Sequence, residues 1–553
     1  MKTIDSSMLV KMIRMGLINL SNNRELINKL NVFPVPDGDT GTNMNLSMTS
    51  GMKEVEKVDD QSLSIIITAF VKGLLMGARG NSGVILSQLF RGFSANITEQ
   101  SELSCQDFAL ALENGVQTAY QSVTNPVEGT ILTVAKDTAH FAKEQAKSEN
   151  DIAIFMENIV QEAKKSLQRT PDLLPILKEV GVVDSGGQGL VAIYEGFLAA
   201  LKGDELPELH EETSMETMVN LEHEKAVQSF IDIESIEYGY CTEFIIEFDK
   251  NKLENNPFDE AAFRNLLGEY GDSLLVASDE SMVKVHIHAE QPGEVMTIAQ
   301  QYGDLVEIDI ENMRKQYKEI VKDENSREDI HKNATNYAVI AIAAGSGIKE
   351  MYYSIGATFI IDGGQTMNPS TEDILAAIHE TNAKNVIILP NNKNIIMSAN
   401  QAASLIDDKN VTVIPTKTIP QGIGALFEFD DSQSIEENEE NMTGSIHDVK
   451  TGLVTFATRD TVINHLEVKE GSFIGLDDET IVATSNNKLD TTVQLMEQIV
   501  SEDDEIVTMF YGLDVSKEEV EQIEEKFSST YEEIELEMHE GNQPIYSFII
   551  MVE

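Results

Sequence analysis

The chain has 553 residues, with 40 Lys and Arg against 94 Asp and Glu, and a formal net charge of −54. So long a chain exceeds one core and divides into about three or four domains. A field of that sign repels DNA, RNA and anionic membranes and excludes them as partners; the 41% hydrophobic content excludes general disorder.

An anionic substrate can still bind, but only behind a metal ion or a local cluster of amides. Cys105 and Cys241 are the two cysteines, a usage that fits a reducing compartment. The first helical stretch carries Lys11 and Arg14 inside its apolar periodicity, which breaks up a signal-peptide core. No apolar run approaches the roughly 20 residues needed to span a bilayer, so no integral membrane segment is expected. A cytoplasmic protein is the expectation.

From Ser6 to about Leu201, apolar residues recur at helical spacing, as in Leu9, Met12, Ile13, Leu17 and Leu20. The expectation for residues 1–203 is an all-α domain, followed by an acidic linker to Val219. Three motifs punctuate it: NVFPVPDGDTGTNM (Asn31 to Met44), GARGNSG (Gly77 to Gly83) and VDSGGQG (Val183 to Gly189). Helix is expected to resume at Val84 and Leu190 after the latter two. A fourth turn, Pro126 to Thr130, precedes another helix.

Glycine-rich turns that run into helix N-termini bring backbone N–H groups to phosphate. Asp37 and Asp39 lie one residue apart on a stiff, proline-rich loop. Two carboxylates so close repel each other, and a divalent cation shared with phosphate offsets that repulsion. Any one of these loops is explained equally well as a helix end with its cap; three in one helical domain favour the ligand reading. No GxxxxGK[ST] is present, so the chain is not a P-loop enzyme.

Residues 220–321 form a second unit. Strands are expected at Tyr240 to Phe248, Ser273 to Ser278, Met282 to Glu290 and Leu305 to Ile310, with helices at Pro257 to Tyr270 and Gly293 to Tyr302. That order is β-α-β-β-α-β, the ferredoxin-like α+β arrangement. Strand parity puts Val283, Val285 and Ile287 on one face and His286 and His288 on the other, with Cys241 on the matching face of the first strand. Helices should cover the apolar face and leave Cys241, His286 and His288 on the open side. Two outward histidines and a cysteine suit Zn²⁺ or a second catalytic role. A solvated sheet face is the other reading, and an open face also suits a homodimer. If the first and third strands run parallel, Cys241 and the histidines fall at opposite ends, and the site needs a register shift or another chain.

A charged linker, Lys322 to Thr335, leads into residues 336–553. Apolar runs at Tyr337 to Ala343, Ala357 to Ile361, Val386 to Leu389 and Val411 to Ile414 alternate with helical segments and predict a parallel α/β sheet. Ser432 to Asn441 reads as an acidic loop. A further α/β half runs to a final strand, Ile545 to Val552.

The three N-terminal motifs resemble the nucleotide-binding L domain of the dihydroxyacetone kinase family. The chain as a whole is similar to the catalytic subunits of bacterial fatty acid kinases, with a DegV-like C-terminal region. The resemblance implies an eight-helix barrel that binds Mg-ATP at one end. It implies Asp37 and Asp39 as Mg²⁺ ligands, with Asn31 near the place of a third aspartate and acting through water. Thr40, Gly41 and Asn43 would lie beside the phosphates, Gly80, Asn81, Ser82 and Gly83 around them, and Thr130 and Asp184 along the nucleotide. Arg79, the one cation of its loop, would stabilise charge on the transferred phosphoryl group; a surface ion pair is its other reading. A Cys/His cluster in the middle domain also belongs to the pattern.

A hydroxyl acceptor needs a general base, whereas a carboxylic acid of pKa about 4 to 5 is already ionised. His140 is the one histidine of residues 1–203 and sits apart from the loops. The resemblance implies phosphorylation of a fatty acid carboxylate, presented by a separate DegV-like carrier, to give an acyl phosphate, and the lack of a histidine base beside the loops is consistent with it. This chain should then lack a deep lipid pocket, and its DegV-like region, with loops Ala344 to Gly347 and Gly363 to Ser370, would serve carrier docking. A kinase of a small hydroxylated metabolite and a non-catalytic nucleotide-binding regulator are the alternatives.

Overall fold

The computed structural model describes residues 2–553 except 32–37, 59–61, 96, 98–99, 124–125, 205–237, 250–251, 254–255, 279–281, 313, 315–335, 365–367, 458–459, 464–465, 479, 502 and 532. Asp37 and most of both expected linkers lie outside the described residues. The chain divides into two compact units, Met1–Pro207 with Ala334–Glu553, and Glu208–Asn333.

In the first unit the N-terminal residues are helical. Eight longer helices are α1 (Ser6–Asn22), α3 (Thr40–Glu56), α4 (Leu63–Met76), α5 (Gly80–Ser94), α6 (Cys105–Ser122), α7 (Ile131–Gln145), α8 (Ile152–Leu173) and α10 (Ser185–Lys202); α2 (Arg24–Leu30) and α9 (Pro175–Val180) are short. Starts are set by side-chain caps: Asp5, Ser62, Ser104, Thr130, Asp151 and Asp184 each accept a hydrogen bond from a first-turn N–H. Edge-to-face rings run through the core, from Phe70–Phe90 (centroids 5.2 Å) to Phe93–Phe108 (5.1 Å) and Phe108–Phe155 (6.3 Å).

Two helix starts correct the sequence reading. α5 begins at Gly80 and α10 at Ser185, four and five residues before the expected Val84 and Leu190. The glycines are not a loop before the helix but its first turn. They are glycines because neighbours press on them: a Cβ at Gly83 would crowd the Ser47 hydroxyl, and one at Gly189 the Met44 sulfur.

The same unit continues with a parallel sheet of β5 (Tyr337–Ala343), β6 (Phe359–Asp362), β7 (Asn385–Leu389) and β8 (Asn410–Val413), in the order β6-β5-β7-β8. A six-stranded sheet follows, β13-β12-β9-β16-β14-β15, antiparallel apart from the β14–β15 pair. It contains β9 (Lys450–Phe456), β12 (Phe473–Asp477), β13 (Thr480–Ser485), β14 (Ile506–Tyr511), β15 (Glu535–Glu540) and β16 (Phe548–Val552). The expected acidic loop is largely a helix, Ile435–Ser445. Ser434 and Glu437 form a capping box, and Asn438 and Met442 are buried; acidic residues in a first turn are favoured by the helix dipole.

In the second unit, β1 (Tyr240–Phe248), β2 (Gly271–Ser278), β3 (Met282–Ala289) and β4 (Gly303–Asn312) form a sheet in the order β2-β3-β1-β4. Glu260–Leu267 and Pro292–Ala299 are its helices. Phe244, Ile246, Val283, Val285 and Ile287 pack with Phe263, Leu267 and Val295 as the core. β1 and β3 run antiparallel, with Cys241 opposite His288 and Glu243 opposite His286. The expected parallel pairing is thereby corrected. Each crossover skips one strand, so the strand inserted between runs the other way.

Candidate functional site

Four helix N-termini of the helical domain come together. Asp39 precedes α3 and is 6% exposed. Gly80 opens α5 at φ +56°, a left-handed conformation, and a Cβ there would lie 2.6 Å from Asn43 Nδ2 of α3. Ser185, the first residue of α10, donates to Thr40 Oγ1 at 3.3 Å. Asp184 caps α10 by accepting from Gly187 N at 2.7 Å and also accepts from the Ile131 amide at the start of α7. Thr130 caps α7 and donates to Val127 O at 2.8 Å. Converging N–H groups and dipoles make this an anion-binding region.

A carboxylate stands within it. Burial pushes Asp39 up to about 6, against the pull of hydrogen bonds from Asn43 and Asn368. Asn31 Nδ2 reaches Asp39 Oδ1 at 3.4 Å. Desolvation likewise pushes Asp184 up to about 6. Asp39, held above its ordinary range among helix N-termini, is a group that a cation would return to the charged form. Its hard oxygen donors fit Mg²⁺.

Of the expected residues, the structure brings together Asn31, Asp39, Thr40, Asn43 and Gly80. Gly41 packs against the backbone carbonyl of Arg24. Gly83 lies one turn along α5, and Ser82 is half-buried beside it. Asn81 and Arg79 point to the C-terminal region. Asn81 Nδ2 donates to Asn394 Oδ1 at 3.1 Å. Arg79 Nη1 donates to the Asn368 carbonyl at 2.9 Å, and Nη2 lies 3.4 Å from Asp373. Arg79 is thus a clasp between regions here, the ion-pair reading of that residue.

Sequence reasoning misses two residues. Ser185 stands inside one of the three motifs without drawing notice. Asn368 lies 329 positions from Asp39, yet its side-chain amide donates to Asp39 Oδ2. Its loop stands out in the sequence, but no local pattern reveals a partner that far away.

The expectation concerns a deep lipid pocket; the cavity of the C-terminal region, of about 480 Å³, has a partly polar lining. Ile342, Ile348 and Leu453 line it, together with Asn392, Lys417 and Gln543. Its wall is mixed, polar and apolar.

In the middle unit Cys241, His286 and His288 are buried, and their ligand atoms lie within 4.8 Å of one another. Cys241 Sγ is 3.8 Å from His286 Nδ1, and that nitrogen is 3.0 Å from Glu243 Oε1. His288 Nδ1 is 3.4 Å from Asp272 Oδ1. Parity groups the three correctly but not their exposure: they are 4%, 0% and 2% exposed. They sit on the two central strands of the sheet. The open-face argument for a homodimer through these residues loses its ground.

Residues 34–199 match the DAK2 domain model, 237–320 the FakA-like middle domain of fatty acid kinases, and 338–553 the FakA-like C-terminal domain of the same enzymes. A helical DAK2 domain joined to mixed α/β middle and C-terminal parts defines a multidomain protein of a kinase class. The chain belongs to the FakA-like fatty acid kinase family. It is 53% identical to protein YloV of Bacillus subtilis over 100% of both chains. It is 49% identical to an uncharacterised protein of Staphylococcus saprophyticus, over 100% of this chain and 99% of that one. Among solved structures it is similar to a DegV family protein of Corynebacterium glutamicum, at 13% identity and TM-score 0.32, covering 40% of this chain and 97% of that one. Among the described residues, no helix is long and apolar enough to cross a membrane.

Proposed function

We propose that this chain is an ATP- and Mg²⁺-dependent kinase that phosphorylates the carboxylate of a fatty acid carried by a DegV-like binding protein, giving an acyl phosphate. The observation that carries the reading is the buried Asp39 among the convergent N-termini of α3, α5, α7 and α10. Membership of a fatty acid kinase family supports the acceptor class.

The chain's own residues bind and orient. Thr40, Asn43 and the Gly80–Gly83 turn would face the phosphates, Asp184 and Thr130 would border the nucleotide, and Asp39, with Asp37 and Asn31, would hold the cation. When bound, Mg²⁺ supplies charge neutralisation for the transferring phosphoryl group. A carboxylate acceptor arrives ionised, so the site needs no base; His140 is exposed on α7 and takes no part. Cys241, His286 and His288 offer nitrogen and sulfur donors of the kind Zn²⁺ takes, and we assign them a metal-holding role in the middle domain. The protein is expected to work in the cytoplasm.

The full chain is incubated with ATP, Mg²⁺, oleate and a DegV-like carrier, and acyl phosphate is trapped with hydroxylamine. Hydroxamate that depends on both carrier and chain is the expected result. ATP turnover without hydroxamate would remove the acceptor assignment.

A further inference from the structure

Asn368 belongs to the C-terminal region, three residues before the helix Thr371–Glu380. Its side chain is 2% exposed and lies against the nucleotide-facing end of the helical domain. Residues 368–371 and the helix that carries Gln401 are tied to the helical domain. Thr371 N donates to Ala78 O at 3.1 Å, Arg79 Nη1 to the Asn368 carbonyl at 2.9 Å, and Gln401 Nε2 to Leu75 O at 2.7 Å. Gln88 Nε2 donates to Gln401 Oε1 at 3.0 Å nearby. These contacts place one amide beside one carboxylate with little freedom in the backbone between them.

The amide is half used. Its Nδ2 donates to Asp39 Oδ2, while its Oδ1 is buried with no hydrogen-bond partner. A buried amide oxygen without a donor is unfavourable and calls for an explanation. An asparagine side chain has two ends, an NH₂ that donates and a carbonyl that accepts, exchanged by rotation about one bond. Without a cation, the NH₂ end is the one that suits a carboxylate. With a divalent cation on Asp39, the NH₂ end is repelled and the carbonyl end becomes an oxygen donor of the type such ions take.

We propose that Asn368 is a residue of the divalent-cation site, supplied by the C-terminal region to a nucleotide site otherwise built by the helical domain. This rests on the reading that a cation and nucleotide bind at Asp39. The cation site is then composite. Its affinity reports how well the two regions are joined, and joining them is favoured by the cation in return. The amide is a switchable neighbour: donor to Asp39 in the empty site, oxygen donor in the filled one.

The test uses the full chain, with Mn²⁺ as the metal probe followed by electron paramagnetic resonance and AMP-PNP as the nucleotide. AMP-PNP binding is also measured in EDTA by calorimetry. Asn368→Ala is expected to weaken Mn²⁺ binding in the presence of AMP-PNP at least tenfold and to leave AMP-PNP binding in EDTA within twofold. Asn368→Asp, which keeps an oxygen donor and adds charge, is expected to bind Mn²⁺ at least as tightly as the parent. If the parent binds Mn²⁺ and both variants match it within twofold, the proposal is overturned and the nucleotide reading stands. If both variants lose Mn²⁺ and metal-free AMP-PNP equally, Asn368 serves packing alone and the proposal is again overturned. A parent that binds neither probe would instead remove the nucleotide reading.

Discussion

The polar cluster around Asp39 and the one around His286 are both buried, yet they are put together in different ways. Cys241, His286 and His288 sit on two adjacent strands, and the register that pairs Cys241 with His288 fixes their spacing. Their donors are nitrogen and sulfur, and the sheet holds them wherever it forms. The Asp39 cluster draws on α3, α5 and α10 and on a loop of the C-terminal region. Its donors are oxygen, and no single element determines its shape. A strand-built site is rigid by construction; a site made where helix ends and a distant loop meet can tighten or loosen with the packing of its parts. The first suits a constant ion, the second a ligand that comes and goes in every turnover.

The hardest blow to this contrast is Asp39→Asn. It preserves shape but removes the charge a cation needs, and turnover in the hydroxamate assay should fall by about 10³ or more. Zn²⁺ taken up by the middle domain should not change. Turnover retained within tenfold would break the assignment of the two sites to different ions. The complementary change is Cys241→Ser, which replaces a soft donor by a hard one. The parent should take up one equivalent of Zn²⁺ in competition with a chromophoric chelator. The variant should bind it at least 10- to 100-fold more weakly. A parent with no stoichiometric Zn²⁺ would make the cluster a hydrogen-bonded core instead.

The difference in construction also explains what is legible in the sequence. Period-two alternation in Met282 to Glu290 sorts His286 and His288 from Val283, Val285 and Ile287, because strand parity is local. Burial is not legible, because it depends on packing over the face and not on alternation along the strand. In the helical domain the motifs around Asp39, Gly80 and Asp184 announce themselves by glycine and aspartate. Where their helices begin is less plain, since Gly83 and Gly189 answer to neighbours, Ser47 and Met44, rather than to a turn. The helix after Ser434 is hidden by its charge, which is a first-turn feature. Asn368 is the least legible, since a contact across 329 positions leaves no periodic trace.

The pH dependence sharpens the contrast further. Burial raises Asp39 from 3.8 to about 6, so between those values the folded state holds more proton than the unfolded one. Stability of the ion-free protein therefore falls as pH rises through that window and is level above it. Asp39→Asn removes the penalty. At pH 8 the ion-free variant should be more stable than the parent by up to about 3 kcal/mol, from about two pH units at 1.36 kcal/mol each. Near pH 4 the two should coincide. Melting curves at both pH values in EDTA check this; a variant no more stable at pH 8 than at pH 4, relative to the parent, would mean the carboxylate is not desolvated. The cation competes with the same proton, so Mg²⁺ affinity should fall about tenfold per unit below pH 6.

The smallest effect expected is that of Gly80→Ala. The backbone there is at φ +56°, and the new methyl carbon would stand 2.6 Å from Asn43 Nδ2. A left-handed conformation costs a residue with a Cβ about 1–2 kcal/mol, and Asn43 must move as well. Asn43 hydrogen-bonds to Asp39, so the displacement reaches the carboxylate directly. The variant should melt a few degrees lower and bind AMP-PNP about tenfold more weakly, while its Zn²⁺ affinity stays at the parent value. That pattern follows from local geometry: one methyl group disturbs a site assembled at helix ends, whereas the spacing of the other cluster is set by strand register. A matched loss of Zn²⁺ affinity would show that the two clusters are energetically coupled and would end the argument for their independence.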